Sequence, residues 1–438
     1  MNIDRCDKAR KIRESIPAQG LFEAKDWRVS PSPFPISNQL ASQLEKLGPL
    51  LLKFYTAADL LYRRSHEGQL EPWIHEWLDK GKPSELIQRQ RGRAFRAAVP
   101  RVIRPDLLLT EEGFAITELD SVPGGIGLTA WLNQTYSQFD DQVIGGANGM
   151  VEGFASIFPD KAKVQIVVSE ESKTYRPEMQ WLANQLGIEQ FTVTTEDEPL
   201  REETTAIYRF FELFDLKNIP IASQLFERAE AKQLDFTPPP KPVLEEKMLI
   251  ALLHNVHLSD FWKQNLGTAY FERLKKHTPE SWVINPAPLP PHTAIPGLNL
   301  PNWETLKTLS QKKRDLIVKI SGFSETAWGA RSVSLGSDLP SEQWSQAIDE
   351  ALNSFETNPF VLQRYHKPKR ISFEYHDSEN KQLTSMDGRV RLCPYYFVSY
   401  HSNQTKVKLG GILATVCPSD KKIIHGMKDA ILAPCSLE

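Results

Sequence analysis

The sequence predicts a mixed fold, with α/β and α+β regions in one chain, and three observations carry that prediction. Apolar residues keep a helical period from Ser37 to Arg64. Short β-branched runs alternate with a helical segment at about 160–222, the signature of a small α/β unit. Strand pairs joined by turns dominate 101–120 and 311–438, where the pattern reads antiparallel.

In chain order, residues 1–30 are mixed and partly helical, and Pro31, Pro33 and Pro35 interrupt them. Leu40, Leu44, Leu47, Leu50, Leu51, Phe54, Ala58 and Leu61 then line one helical face. Helical signals continue through Trp73–Leu78 and Ser84–Phe95, so 1–97 is expected to be a helical N-terminal region. Trp73 and Trp77, four apart, read as core. Lys163–Ser169 is the run of a buried parallel strand, Arg176–Leu186 is an amphipathic helix stopped by Gly187, and Phe191–Thr195 and Ala206–Phe211 are further strands. These define a domain at 160–225. Arg209 and Glu212 read as an ion pair or as groups facing a cleft. A helical and proline-rich connection is expected over 226–310, and its His254, His257 and His292 lack metal-ligand spacing. In 311–438, strands are expected at Arg314–Ile320, Val333–Leu335, Phe360–Tyr365, Arg389–Tyr400 and Lys406–Val416 of one sheet, with a helix at Ser341–Phe355.

The composition narrows the function classes. A net charge of −3 and pI near 6.4 give no electrostatic case for nucleic acid or an anionic membrane. No apolar run approaches the roughly 20 residues needed to span a bilayer. Cys6, Cys393, Cys417 and Cys435 are widely spaced, which fits a reducing compartment, and a charged N-terminal stretch has no signal-peptide core. A soluble cytoplasmic protein is expected.

The most informative stretch is Arg101–Trp131, within an expected segment 98–159. Val102–Leu109 and Phe114–Leu119 read as strands joined by Glu111-Glu112-Gly113. A period of two sends Glu118 and Asp120 to one face, about 7 Å apart along the strand, and hairpin pairing brings Asp106 to that face. Two readings stay open: a solvated acidic face, or three carboxylates gathered on a hard cation such as Mg²⁺. Arg104 shares a face with Asp106, and Pro123-Gly124-Gly125-Ile126-Gly127 opens a helix where backbone can approach a bound group. If the carboxylates repel one another, Asp106→Asn or Glu118→Gln leaves the melting temperature equal or higher. Farther on, Lys319 lies in an apolar strand and is followed by a small-residue loop, Ser321–Arg331, suited to folding over phosphates.

These residues resemble the circularly permuted ATP-grasp ligases of the glutathionylspermidine synthase type, in their synthetase portion. That family shows an Arg-x-Asp strand and, twelve residues beyond the aspartate, a Glu-x-Asn strand. Here Arg104-x-Asp106 is followed at that separation by Glu118-x-Asp120, with aspartate in place of the asparagine. The resemblance covers roughly 100–438. It implies an ATP-grasp-like, circularly permuted fold with a small α/β domain before the core, and 311–438 as the nucleotide lobe. Arg104 would stabilise phosphoryl transfer, and Asp106, Glu118 and Asp120 would hold Mg²⁺. Lys319 would contact phosphate, and Gly322, Ser324 and Gly329 would belong to the flap over the phosphates. Phe360–Tyr365, with Leu362, Gln363 and Tyr365, would border adenine and ribose, and Gly410-Gly411 would lie near the site. Nothing in the chain matches the polyamine-binding residues.

The activity so implied is ATP-dependent ligation of a small-molecule carboxylic acid to an amine through an acylphosphate, releasing ADP. The alternatives are an ATP-dependent phosphotransferase and a non-catalytic nucleotide-binding protein of the same fold.

Overall fold

The computed structural model of the protein describes residues 4–17, 27–327, 331–401, 404–424 and 428–438. The helices are α1 (Arg5–Glu14), α2 (Asn38–His66), α3 (Trp73–Asp79), α4 (Ser84–Arg91), α5 (Ile126–Tyr136), α6 (Gly149–Ser156), α7 (Arg176–Leu186), α8 (Ala222–Glu230), α9 (Met248–His254), α10 (Ser259–Leu266), α11 (Thr268–His277) and α12 (Ser341–Asn353). The first eight strands are β1 (Arg28–Val29), β2 (Phe34–Ile36), β3 (Val102–Thr110), β4 (Gly113–Asp120), β5 (Val164–Val168), β6 (Phe191–Thr194), β7 (Ala206–Phe210) and β8 (Asp235–Thr237). They are followed by β9 (Ser281–Ile284), β10 (Leu316–Ile320), β11 (Ser334–Leu335), β12 (Phe360–Arg364), β13 (Arg370–Asp377), β14 (Gln382–His401), β15 (Gln404–Pro418) and β16 (Ile431–Leu437). The chain divides into two compact units. Met1–Leu52, Ala98–Pro239 and Pro368–Glu438 make the first, and Lys53–Ala97 with Pro240–Lys367 the second. Among the described residues no helix is long and apolar enough to cross a membrane.

The first unit is built on an eight-stranded sheet in the order β1-β16-β15-β14-β3-β4, with β13 also on β14 and β2 on β16. Strand β14 runs between β3 and β15, antiparallel to both. Leu392, Tyr395, Phe397 and Val398 are buried along it, on alternate faces, because a central strand is covered on both faces. Each such side chain contributes about 1.5–3 kcal/mol of burial. The second sheet, β6-β5-β7-β8, is parallel throughout, as its β-branched runs require. One apolar core takes in both sheets and α5, α6 and α7, with Trp131, Phe154, Leu182 and Tyr208 at its heart. Helix α6 comes close to β15 because Gly410 has no side chain. A Cβ there would run into the Phe397 ring and lie 2.8 Å from the Gly149 carbonyl oxygen.

The second unit carries the antiparallel sheet β11-β10-β12-β9. Leu316, Val318, Ile320 and Leu362 of that sheet pack on Trp344 and Ile348 of α12. The Trp344 indole is satisfied by donating to the Leu306 carbonyl at 2.8 Å. Trp73 and Trp77 do meet, at 4.6 Å between ring centres, but both are only half-buried.

Several expectations need correction here. Strands β14 and β15 do not share a sheet with β10 and β12; they complete the first unit's sheet against β3. The lobe expected at 311–438 is therefore divided between the two units near residue 368. A period of two reports that a strand is present and which faces it buries, but not which distant strand it pairs with. The short strands β1 and β2, beside the prolines at 31, 33 and 35, and strand β13 are further elements that the sequence reading lacks. Proline at the periphery of a sheet is tolerated because no ladder amide is needed there.

Candidate functional site

The hairpin β3–β4 places the predicted residues as the period of two requires, with Arg104 opposite Asp120 and Asp106 opposite Glu118, ahead of a register shift at Asp106/Leu107. What they do to one another differs from the expectation. The Arg104 guanidinium donates from Nη2 to Asp120 Oδ2 at 2.8 Å and lies 3.2 Å from Asp106 Oδ1. Its Nη1 donates to the Gly124 carbonyl at 3.2 Å. A second guanidinium arrives from β14, where Arg391 Nη1 donates to Asp106 Oδ2 at 3.0 Å. The Cys393 thiol donates to Asp106 Oδ1 at 3.4 Å, and the Val122 amide donates to Asp120 Oδ1 at 2.9 Å.

The electrostatics follow from that arrangement. Burial works against the Arg104 charge, but Asp106 and Asp120 outweigh it and hold its pKa well above the ordinary value. Arg391 behaves alike, burial being overcome by Asp106. Burial raises the Asp120 carboxyl; Arg104 opposes that rise, while Asp106 and Glu118 add to it. Burial, then the Asp106 charge, push Cys393 up to about 12, so it is a neutral thiol and no nucleophile.

Carboxylate oxygens are the right donors for Mg²⁺, but this arrangement does not fit one. Both oxygens of Asp106 and both of Asp120 already accept from N–H or S–H groups. Among the described residues no group of three or more His, Cys, Asp or Glu side chains is placed to hold a metal ion. The three carboxylates share one face as the period of two requires, but Asp106 and Asp120 are paired with arginines rather than left to repel one another.

The glycine run after β4 is likewise filled from within. Glu178, fully buried on α7, accepts from the Gly125 amide at 2.6 Å and from the Leu128 amide at 2.9 Å. The anion at the α5 N-terminus is thus an internal carboxylate rather than an external group. Gly410-Gly411, expected near the site, serves the packing of α6 on β15.

In the second unit Lys319 is buried on β10, and its Nζ donates to Gln363 Oε1 at 3.1 Å. Gln363 in turn donates to Ser281 Oγ at 3.2 Å, so both ends of its side chain are engaged. Leu362 points into the core, and its strand is paired on both sides, with Val318 and with Trp282. Beyond the strand the Tyr365 amide donates to the Asp315 carbonyl at 3.0 Å. The expected adenine-reading hinge is therefore a central strand whose amides are spent on the sheet.

The loop after β10 is anchored at its root. Ser321 Oγ donates to Glu246, and Glu246 also meets Lys82 at 2.6 Å, both side chains almost wholly buried. A Cβ on Gly322 would sit 2.9 Å from the Glu246 carboxyl, so that side chain would have to shift to admit one. Phe323 adopts φ +46°, an unusual conformation for a bulky residue. Ser324 Oγ accepts from the Thr326 amide at 3.3 Å, and Lys247 Nζ donates to the Ala327 carbonyl at 2.6 Å. Gly329 lies outside the described residues.

Sequence reasoning misses Arg391, Lys82 and Glu246. The alternating RVRLC of β14 was a signal for the first, since arginine on a buried strand needs an anion. Nothing local marks the other two.

No family model matches the chain, and no curated protein matches it in sequence. Its fold is similar to that of a glutathione synthetase-like effector from Globodera pallida solved in the apo form. The TM-score is 0.58 at 10% identity, over 99% of this chain and 96% of that one. A protein provisionally described as a gamma-glutamylcysteine synthetase, from Methylobacillus flagellatus KT, aligns at a TM-score of 0.42 and 13% identity, over 86% and 87% of the two chains. The first of these shows a mixed α/β architecture of the glutathione synthetase-like kind.

Proposed function

We propose that the chain is an ATP-dependent carboxylate–amine ligase that forms a peptide-type bond through an acylphosphate and releases ADP. The observation that supports this most is the buried Arg104 guanidinium, oriented by Asp106 and Asp120. A permanent positive charge fixed before substrate arrives is what phosphoryl transfer needs, since charge spreads over the transferring oxygens and little covalent chemistry falls to the protein. The substrate carboxylate would attack the γ-phosphorus as the bond to ADP breaks. An amine would then attack the acyl carbon, losing its proton as phosphate leaves.

In the second unit the proposed phosphate contacts are Lys319 and the loop containing Gly322, Ser324 and Gly329. Mg²⁺ would travel with the triphosphate, and no step is assigned to a protein-held metal. One observation favours a second reading, a nucleotide-binding protein without turnover: the carboxylate oxygens of Asp106 and Asp120 are taken up by arginines, a thiol and an amide.

The test is ADP release from ATP with pools of candidate acids, with and without amines. Amine-dependent release, falling about 10²–10³-fold in Arg104→Gln, supports the ligase. A phosphorylated product formed without amine would point to a phosphotransferase. Saturable ATP binding with no ADP release would overturn the ligase and leave the second reading.

A further inference from the structure

Four guanidiniums share one face of the first unit's large sheet, and their partners are unequal. Arg389, Arg391 and Cys393 alternate along β14 and therefore point the same way. Arg391 stands opposite Thr415 on β15, and Arg389 stands opposite Arg370 on β13. Arg391 reaches Asp106, which also receives Arg104. Arg389 is only 5% exposed, yet among the described residues no carboxylate lies within ion-pair distance of it. Among the described residues its one side-chain hydrogen bond runs from Nη1 to the Lys421 carbonyl at 3.2 Å. Asp387, two residues earlier on the same face, is exposed and makes no ion pair with it.

Unsatisfied atoms gather at the same place. Among the described residues Arg104 Nε, Arg389 Nε, Arg391 Nε and Thr415 Oγ1 are buried without a hydrogen-bond partner, and Thr415 is fully buried. An isolated buried charge is costly, and like charges directly opposed across strands add to that cost. Buried donors without acceptors cost about 1–3 kcal/mol each. Three neighbouring strands carrying such groups on one face call for an acceptor-rich anion that the described residues do not supply.

We propose that Arg389, Arg391 and Thr415 form an oxyanion subsite, with Arg370 at its exposed side. It takes a carboxylate or phosphate that the acid substrate carries in addition to the carboxyl that is activated. The proposal rests on the ligase reading for the word substrate, but not for the binding. Arg389 lies two residues, about 7 Å, along β14 from the arginine that shares Asp106 with Arg104. Arg104 meets Arg391 at Asp106, so an acid activated beside Arg104 and reaching this subsite carries a second anionic end.

Calorimetric titration of the full chain with glutarate, and separately with inorganic phosphate, tests this. Saturable uptake of at least one probe is expected, weakened at least about tenfold by Arg389→Gln, since a hydrogen-bonded charge is lost. Thr415→Val removes only a hydroxyl and keeps the volume, so it reports even where Arg389→Gln fails to fold; it should weaken uptake a few-fold. No saturable uptake of either probe by the wild type, or equal uptake by wild type and both variants, would overturn the subsite. ATP is titrated separately into the same preparations. Loss of ATP binding alone sinks the ligase reading, and loss of anion uptake alone sinks the subsite.

Discussion

At the scale of single residues, the hairpin shows how one distant side chain reverses an electrostatic argument. Arg104, Asp106, Glu118 and Asp120 were legible because alternation and a turn are local properties, and the register brings all four to one face. Arg391 was not legible as their partner, since it stands 285 residues beyond Asp106. Without it the carboxylates repel one another; with it Asp106 bridges two buried cations. Asp106→Asn should therefore lower stability, on the order of 3 kcal/mol, by leaving guanidinium charge uncompensated. Urea denaturation of the variant checks this, and a midpoint at or above that of wild type would restore the repulsion picture.

At the scale of elements, α5 is held by a carboxylate from another helix. Glu178 receives two amides at the helix start, one on each oxygen. Glu178→Gln keeps the shape but turns one oxygen into a donor, so one amide loses its acceptor. The expected loss is about 1–2 kcal/mol, with faster hydrogen exchange at Gly125 and Leu128. Unchanged exchange at both amides would show that α5 does not depend on this cap. The glycine run was legible as a place where backbone accepts an anion, but its occupant was not, because Glu178 belongs to a separate helix some fifty residues on. The helices α2, α7 and α12 and the strands β5 and β7 were legible from periodicity alone, since each buries a continuous stripe or run.

For the molecule as a whole, pH separates the contributions of buried groups. In the second unit, burial and then the charge of Lys275 push the His254 imidazole down to about 4, while Nε2 lies 2.9 Å from Thr278 Oγ1. A base with a depressed folded pKa binds its proton more readily when unfolded. Its contribution to stability is present above the ordinary value of 6.5 and is lost as pH falls toward 4. That loss is on the order of 3 kcal/mol. His254→Gln should flatten the stability–pH curve over that window; a variant curve as steep as the wild-type one would assign the slope to other groups. Domain organisation was the least legible property, because the first unit draws on three separate stretches of chain.

That discontinuity sets an order of events on the ribosome. The β3–β4 hairpin emerges long before β14, its neighbour in the finished sheet, and at about 5–20 residues per second the wait runs from roughly a quarter of a minute to a minute. Until then β3 offers an open hydrogen-bonding edge in a two-stranded ribbon, a form with little stability of its own. Nascent chains arrested after Lys367 should therefore exchange freely at Leu107 and Leu108 and engage holdase chaperones. Protection of those two amides at that length would mean the hairpin finds another partner first.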